Sequence, residues 1–154
     1  MGDYTYYCMV VADAARLGAQ LLARVAAAFM DDDFGVQDVA RCGFARADRC
    51  MVFDIEERPV GQCRAAADAV REVLADSGVE VAFAVCEEPK YEWLGVLCRY
   101  VPGVGMHEVD CGPGGDPVIE LPTVQALAAR HHNPEELVAA INAHLGADLP
   151  LLIH

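Results

Sequence analysis

The sequence predicts an α+β protein in which residues 4–87 form a ferredoxin-like, split-βαβ core and residues 88–154 form a C-terminal α/β extension that covers the sheet. Two observations carry this prediction: the elements of the first part follow the order strand, helix, strand, strand, helix, strand, and each helix has one apolar face. Two one-sided helices and a sheet of alternating strands bury each other in two layers. The chain has 154 residues, of which 55% are hydrophobic, which is enough for a single compact domain.

The first strand and the first helix are predicted over residues 4–11 and 14–30. The strand segment is aromatic and β-branched and carries little charge. Asp13 stands where a helix N-cap is expected, and apolar residues follow it at helical spacing. Residues 31–33 are three aspartates, which would oppose the helix dipole at a C-terminus, so we expect them in a solvated loop beyond the last turn.

The remaining elements of the core are two extended runs, a helix and a final strand. Residues 36–46 and 49–57 predict a hairpin because the second run alternates with a period of two and a short turn separates the pair. Pro59 is expected to end the second strand. A helix is predicted over residues 60–76, with an apolar stripe and a glycine just past its end, and the last strand over residues 79–86.

The C-terminal extension carries one ambiguous segment and several clear signals. Residues 89–101 fit either a helix begun by a proline or a strand, and the helix is favoured. A glycine-rich loop predicts a hairpin between residues 105–110 and 117–121. A short helix is expected over residues 123–131, and Asn133 with its following proline predicts the start of the last one.

The expected compartment is the cytoplasm. No apolar stretch in the N-terminal region approaches the roughly 20 residues that span a bilayer, and the N-terminus lacks the basic and apolar regions of a signal peptide. The seven cysteines are an odd number with no secretion signal, which favours reduced thiols that pack as small hydrophobic side chains.

The net charge of −13 is the strongest functional signal, and its distribution is uneven. Residues 72–120 contain ten acidic and two basic side chains. This charge disfavours ordinary nucleic-acid binding and favours a basic protein surface. The candidate partner-binding residues are Glu87, Glu88, Glu92, Glu108 and Asp110. Solubility, or the composition of a GC-rich genome with ten arginines against one lysine, is the alternative explanation.

Most catalytic motifs are missing from the sequence. Ser77 is the only serine, Lys90 is the only lysine, and neither a nucleophile elbow nor a phosphate-binding loop is present. A cysteine nucleophile is disfavoured because an acidic neighbourhood raises the pKa of a thiol. The candidate zinc ligands are Cys98, His107 and Cys111, with Asp110, His131 and His132 nearby in sequence, although their spacing is unlike that of closed zinc sites.

Three functional hypotheses follow from these observations. The first is an acidic, non-catalytic protein-binding or regulatory module, such as an inhibitor, an antitoxin-like protein or an adaptor, that recognises a basic partner without a cofactor. The alternative is a small-molecule or metal-binding module, which could be an enzyme that uses the Cys and His residues of the C-terminal half. The third is self-association, which is one way to protect an open sheet edge.

Overall fold

The computed structural model describes residues 3–40, 49–54 and 57–153. Within this part of the chain the protein is α+β, with five helices, a five-stranded antiparallel sheet and a separate two-stranded pair. The strands are β1 Tyr4–Thr5, β2 Tyr7–Ala12, β3 Arg49–Phe53, β4 Arg58–Pro59, β5 Phe83–Glu87, β6 Gly95–Val101 and β7 Gly105–Cys111. The helices are α1 Gly18–Met30, α2 Val36–Val39, α3 Cys63–Ser77, α4 Leu121–Arg130 and α5 Pro134–Leu145.

The large sheet has the strand order β3-β2-β5-β6-β7, and every neighbouring pair is antiparallel. The central strands β2 and β5 are apolar and almost completely buried, because side chains on both of their faces are covered. The small pair joins β1 to β4. Pro59 lies in β4 as an edge residue, a position that proline tolerates because it needs no donor there.

The main core lies between the sheet and the helices α1 and α3. Tyr7, Met9 and Val11 alternate along β2 and project into this core, where they meet the apolar stripes of both helices, including Phe29 and Val70. The amphipathic spacing of the two helices therefore positions them on one face of the sheet.

A smaller cluster lies on the second face of the sheet. It contains Ala84 and Cys86 of β5, Leu97 of β6, and Val109 and Cys111 of β7, all buried. The residues that pack against it come from the end of α5 and the C-terminal tail: Leu145, Leu152 and Ile153. The C-terminal extension therefore covers this part of the second face.

Two predicted elements of the extension are wrong. Residues 95–101 form strand β6, not a helix, because this segment is paired on both sides, with β5 and with β7. Strand β7 pairs with β6 through a turn at residues 102–104, whereas residue 117 forms only an isolated bridge to Cys111. The prediction therefore paired residues 105–110 with the wrong segment, because their partner is β6 and not residues 117–121.

The N-terminal half differs from the prediction in two places. The first helix begins at Gly18 after a short 3-10 turn, because Gly18 has a φ of 73° that interrupts a continuous α-helix. Residues 36–39 are the helix α2 instead of a strand, and residues 41–48, which include Cys42 and the predicted turn, lie outside the described residues. The order β3-β2-β5 is found, but the ferredoxin-like arrangement stays a prediction.

The helices of the described segments are also short. The longest, α3, has 15 residues, and none of them has the length and apolar character required to cross a bilayer.

Candidate functional site

The candidate site is a groove of about 220 Å³ at the outer edge of β7. Its lining comes from five elements, which are the start of α3 with the turn before it, β5, β6, β7 and α5: Gly61, Cys63, Arg64, Glu87, Val96, Glu108, Val109, Asp110 and His144. Residues from α3 and from α5 lie on opposite faces of the sheet. The groove therefore extends around the sheet edge from one face to the other.

The charge of this groove is mainly negative. Glu108 and Asp110 are exposed and alternate along β7 on the side of α3. Glu87 lies on the same side, in β5, and is only 2% exposed. Arg64 is the one arginine or lysine of the lining, which also contains His144, and it is exposed and forms an ion pair with Asp68 at 3.1 Å. The groove thus holds three carboxylates against one guanidinium, in a partly enclosed setting that strengthens attraction for a cation.

The buried Glu87 is held in place by hydrogen bonds. Its Oε1 atom accepts from the backbone N–H of Gly61 at 3.0 Å and lies 2.7 Å from the Tyr7 hydroxyl. That hydroxyl also accepts from the N–H of Gln62 at 3.1 Å and lies 2.7 Å from the carbonyl oxygen of Pro59. Burial raises the pKa of Tyr7 well above its ordinary value, and the hydrogen bond to Glu87 adds to the shift. Tyr7 therefore stays protonated and fixes the floor of the groove.

Two thiols lie beside this floor. The Sγ atoms of Cys63 and Cys98 are 3.7 Å apart, and the Cys63 Sγ also lies 3.4 Å from the carbonyl oxygens of Val85 and Val96, each of which is a potential acceptor for its single S–H. The hydrogen bond with Cys98 and burial raise the pKa of Cys63, and the negative charge of Glu87 raises it further. A thiol that stays protonated is a poor nucleophile, which argues against catalysis by Cys63.

The structure does not bring the predicted zinc ligands together. Cys98 packs on the face of α1 and α3, whereas Cys111 belongs to the cluster on the second face, with its Sγ 4.0 Å from that of Cys86. The Nε2 atom of His107 lies 3.3 Å from the carbonyl oxygen of Ala143. Within residues 3–40, 49–54 and 57–153, no three His, Cys, Asp or Glu side chains are arranged to hold a metal ion.

The other residues proposed around these ligands are also dispersed. Asp110 lines the acidic groove. His131 and His132 follow the end of α4, directly before the Asn133 cap of α5, with His131 half-buried and His132 exposed. The six cysteines of the described segments are free thiols and all are buried.

The predicted partner-binding residues separate into two groups. Glu87, Glu108 and Asp110 line the groove, with Glu87 buried at its floor. Glu88 is half-buried, and its Oε2 accepts from the N–H of Gly114 at 3.3 Å. Glu92 is exposed in the loop before β6. The groove therefore contains three of the five.

Three residues of the site were missed by the sequence analysis. Tyr7 falls within the strand predicted over residues 4–11, and Cys63 and Arg64 fall within the helix predicted over residues 60–76, but none of the three was singled out as a site residue. A further missed residue is Arg99, which is 1% exposed and donates to the carbonyl oxygen of Leu145 at 2.6 Å. A charged residue inside an apolar strand is a signal that could have identified Arg99.

Comparison of the chain with protein-family models, with curated proteins and with solved structures finds no match. The chemistry of the groove is therefore the basis for a functional assignment.

Proposed function

We propose that this protein is a non-catalytic module that binds a basic segment of a partner protein in the groove beside β7, as an inhibitor or adaptor does. The observation that carries this proposal is the convergence of Glu87, Glu108 and Asp110 in an open groove that holds a single guanidinium, that of Arg64. Two of the carboxylates are exposed, so a cationic side chain can reach them without unfolding the site.

The charge of the whole chain supports a protein partner of basic character. A net charge of −13 opposes the long-range approach of a phosphate backbone, whereas it accelerates the encounter with a basic surface. The protonated state of Cys63 supports binding over nucleophilic chemistry at the same groove.

The proposal is tested with a pair of charge-neutralising substitutions in the groove, Glu108→Gln with Asp110→Asn. The probe is a capped peptide of alternating lysine and valine, titrated by fluorescence anisotropy. We expect this variant to bind the peptide roughly tenfold more weakly, because two attractive charges near the peptide are lost. The affinity of the wild type should also fall as salt is raised.

The matched control carries the same change of net charge elsewhere, Glu72→Gln with Asp76→Asn on the exposed side of α3. It should bind the peptide within about twofold of the wild type. If both variants lose affinity equally, or if the wild type binds no peptide at low salt, the groove is not a specific site and the proposal is refuted.

We also propose that residues 4–87 belong to a ferredoxin-like arrangement. The strand order β3-β2-β5, with α1 and α3 packed on one face, supports it. An experimental structure that shows which segment, if any, pairs with the second edge of β3 tests this proposal.

A further inference from the structure

We infer that the partner's basic segment binds as an added β-strand along the outer edge of β7. This inference rests on the function proposed above and specifies how the same groove recognises its partner. Three features of the described residues carry it: the hydrogen-bonding direction of β7, the walls on either side of its edge, and the charges along it.

The first feature is the direction of the backbone groups of β7. The carbonyl oxygen of Asp110 accepts from the N–H of Val118 at 2.9 Å, so it points away from β6. Backbone groups alternate sides along an antiparallel strand. Those of Met106 and Glu108 therefore also point away from β6, and β7 has no strand on this side within the described segments. An extended peptide would find two N–H and two C=O groups there.

The second feature is the shape of the groove around this edge. Its lining includes Cys63 and Arg64 on one face and His144 of α5 on the other, with Glu108, Val109 and Asp110 of β7 between them. A single extended chain fits such a position because its side chains alternate between the two walls. The bridge at Cys111 and Pro117 occupies the far end of the edge and limits the added strand to a few residues.

The third feature is the charge on the α3 side of the edge. Side chains of the added strand that face α3 lie beside Glu108 and Asp110, so lysine or arginine is favoured at alternate positions. A second copy of β7 paired antiparallel at this edge would bring its own acidic side chains against these. Like charges at cross-strand positions are destabilising, which disfavours self-association by this route and favours a basic strand.

The test uses N-methylated forms of the lysine–valine peptide, because N-methylation removes a backbone donor and leaves the charge unchanged. In antiparallel pairing, the peptide residue opposite Glu108 has its side chain on the same face of the sheet as Glu108, which is the α3 side where lysine is favoured. The backbone N–H and C=O of that residue face β7. Methylation at the lysines should therefore weaken binding roughly tenfold or more, while methylation at the valines should leave it close to that of the parent. The reverse result would also support strand addition, in the parallel direction.

A variant of the protein gives a second, independent measurement. Met106→Pro removes one outward-facing donor without removing a hydrogen bond to β6, and Met106→Ala controls for the loss of the side chain. With folding verified by circular dichroism, the proline variant should bind the peptide several-fold more weakly than the alanine variant.

Two failures are distinguishable. If both methylated peptides bind like the parent while Glu108→Gln with Asp110→Asn still weakens binding, strand addition is refuted and the acidic groove remains a binding site. If the groove charges make no difference to any peptide, the proposed function itself is refuted.

Discussion

The Tyr7 hydroxyl connects three segments of the chain at the floor of the groove. It lies within hydrogen-bonding distance of the carbonyl oxygen of Pro59, the N–H of Gln62 and the carboxylate of Glu87. Removing it leaves buried polar groups without their partner, a loss that costs about 1–3 kcal/mol. We therefore expect Tyr7→Phe to lower the free energy of unfolding in urea by about this amount.

The matched control for this substitution is Tyr6→Phe. Tyr6 is the neighbouring residue and its side chain is 52% exposed, so loss of its hydroxyl should change stability by less than about 0.5 kcal/mol. Equal effects of the two substitutions would show that the Tyr7 hydroxyl does not stabilise the turn before α3.

The buried thiol of Cys8 predicts a loss of stability in alkaline solution. Burial raises the pKa of Cys8 from 9.0 to about 12, and the negative charge of Glu88 adds to the shift. Because the folded-state pKa lies above the unfolded value, the stabilisation is complete below about pH 9 and is lost as pH rises towards 12. The loss is about 1.4 kcal/mol for each pH unit in this window.

The measurement is urea unfolding at about pH 8 and about pH 10.5, for the wild type and for Cys8→Ala. The raised pKa values of Tyr7 and Cys63 act in the same direction, so both proteins should be less stable at the higher pH. The decline should be smaller by about 2 kcal/mol in the alanine variant, which lacks the titrating thiol. An equal decline would contradict a buried, neutral Cys8.

At the residue level, sequence could identify the carboxylates of the site but not which of them is buried. Glu108 and Asp110 alternate with His107, Val109 and Cys111 along β7, and polar residues at alternate positions are typical of a strand with one exposed side. Glu87 and Glu88 are adjacent and both acidic, yet one is buried against Tyr7 and the other is bonded to Gly114. The environment of Glu87 depends on Tyr7, 80 positions away, and that of Glu88 depends on Gly114, 26 positions away. A local sequence pattern carries no information about such distant contacts.

Among the helices, α5 ends at a glycine that has close neighbours. Gly146 ends the helix with a φ of 66°, and a methyl group there would clash with the Arg99 guanidinium and lie 2.8 Å from His107 Cε1. Gly78 ends α3 with a φ of 72° and has open space around it. The two glycines share a left-handed backbone and differ in what surrounds them.

This pair gives a direct test of how α5 docks on the sheet. Gly78→Ala should cost about 1 kcal/mol, the penalty for a side chain in the left-handed region. Gly146→Ala should cost about 1–3 kcal/mol more, because Arg99 must move and weaken its hydrogen bond to Leu145. Thermal or urea unfolding measures both, and equal costs would mean that Arg99 does not support the end of α5.

The elements that sequence predicted best are those with a repeated pattern and a clear boundary. α3 and α5 have amphipathic spacing or a strong cap, and Asn133 accepts from the N–H of Glu135 at 2.9 Å as expected for an N-cap. β6 was missed because its residues fit both helical and extended spacing. The strand is selected by pairing with β5, where Gly95 allows close approach to the carbonyl oxygen of Glu87.

At the scale of the whole molecule, the two faces of the sheet are buried in different ways. The first face is covered by two helices that the alternation of elements predicts. The second is covered where the end of α5 and the tail pack on it, and Arg49 donates to the carbonyl oxygen of Leu152 at 2.9 Å. Val138 in α5 and Leu121 in α4 remain more than half exposed. The spacing of apolar residues along a helix does not encode which surface its apolar side chains will meet, and Val138 shows this because it stays exposed.

The acidic charge of the whole chain leads to opposite effects of salt on stability and on binding. A net charge of −13 repels itself in the compact state, and screening relieves this repulsion. The melting temperature should therefore rise by a few degrees between low salt and about 500 mM NaCl, while affinity for the lysine–valine peptide falls in the same buffers. Sucrose does not screen charge and serves as the control. It should stabilise the protein without weakening its binding of the peptide. A melting temperature that falls with NaCl would show that attractive ion pairs outweigh the repulsion, and the acidity would then be a source of stability.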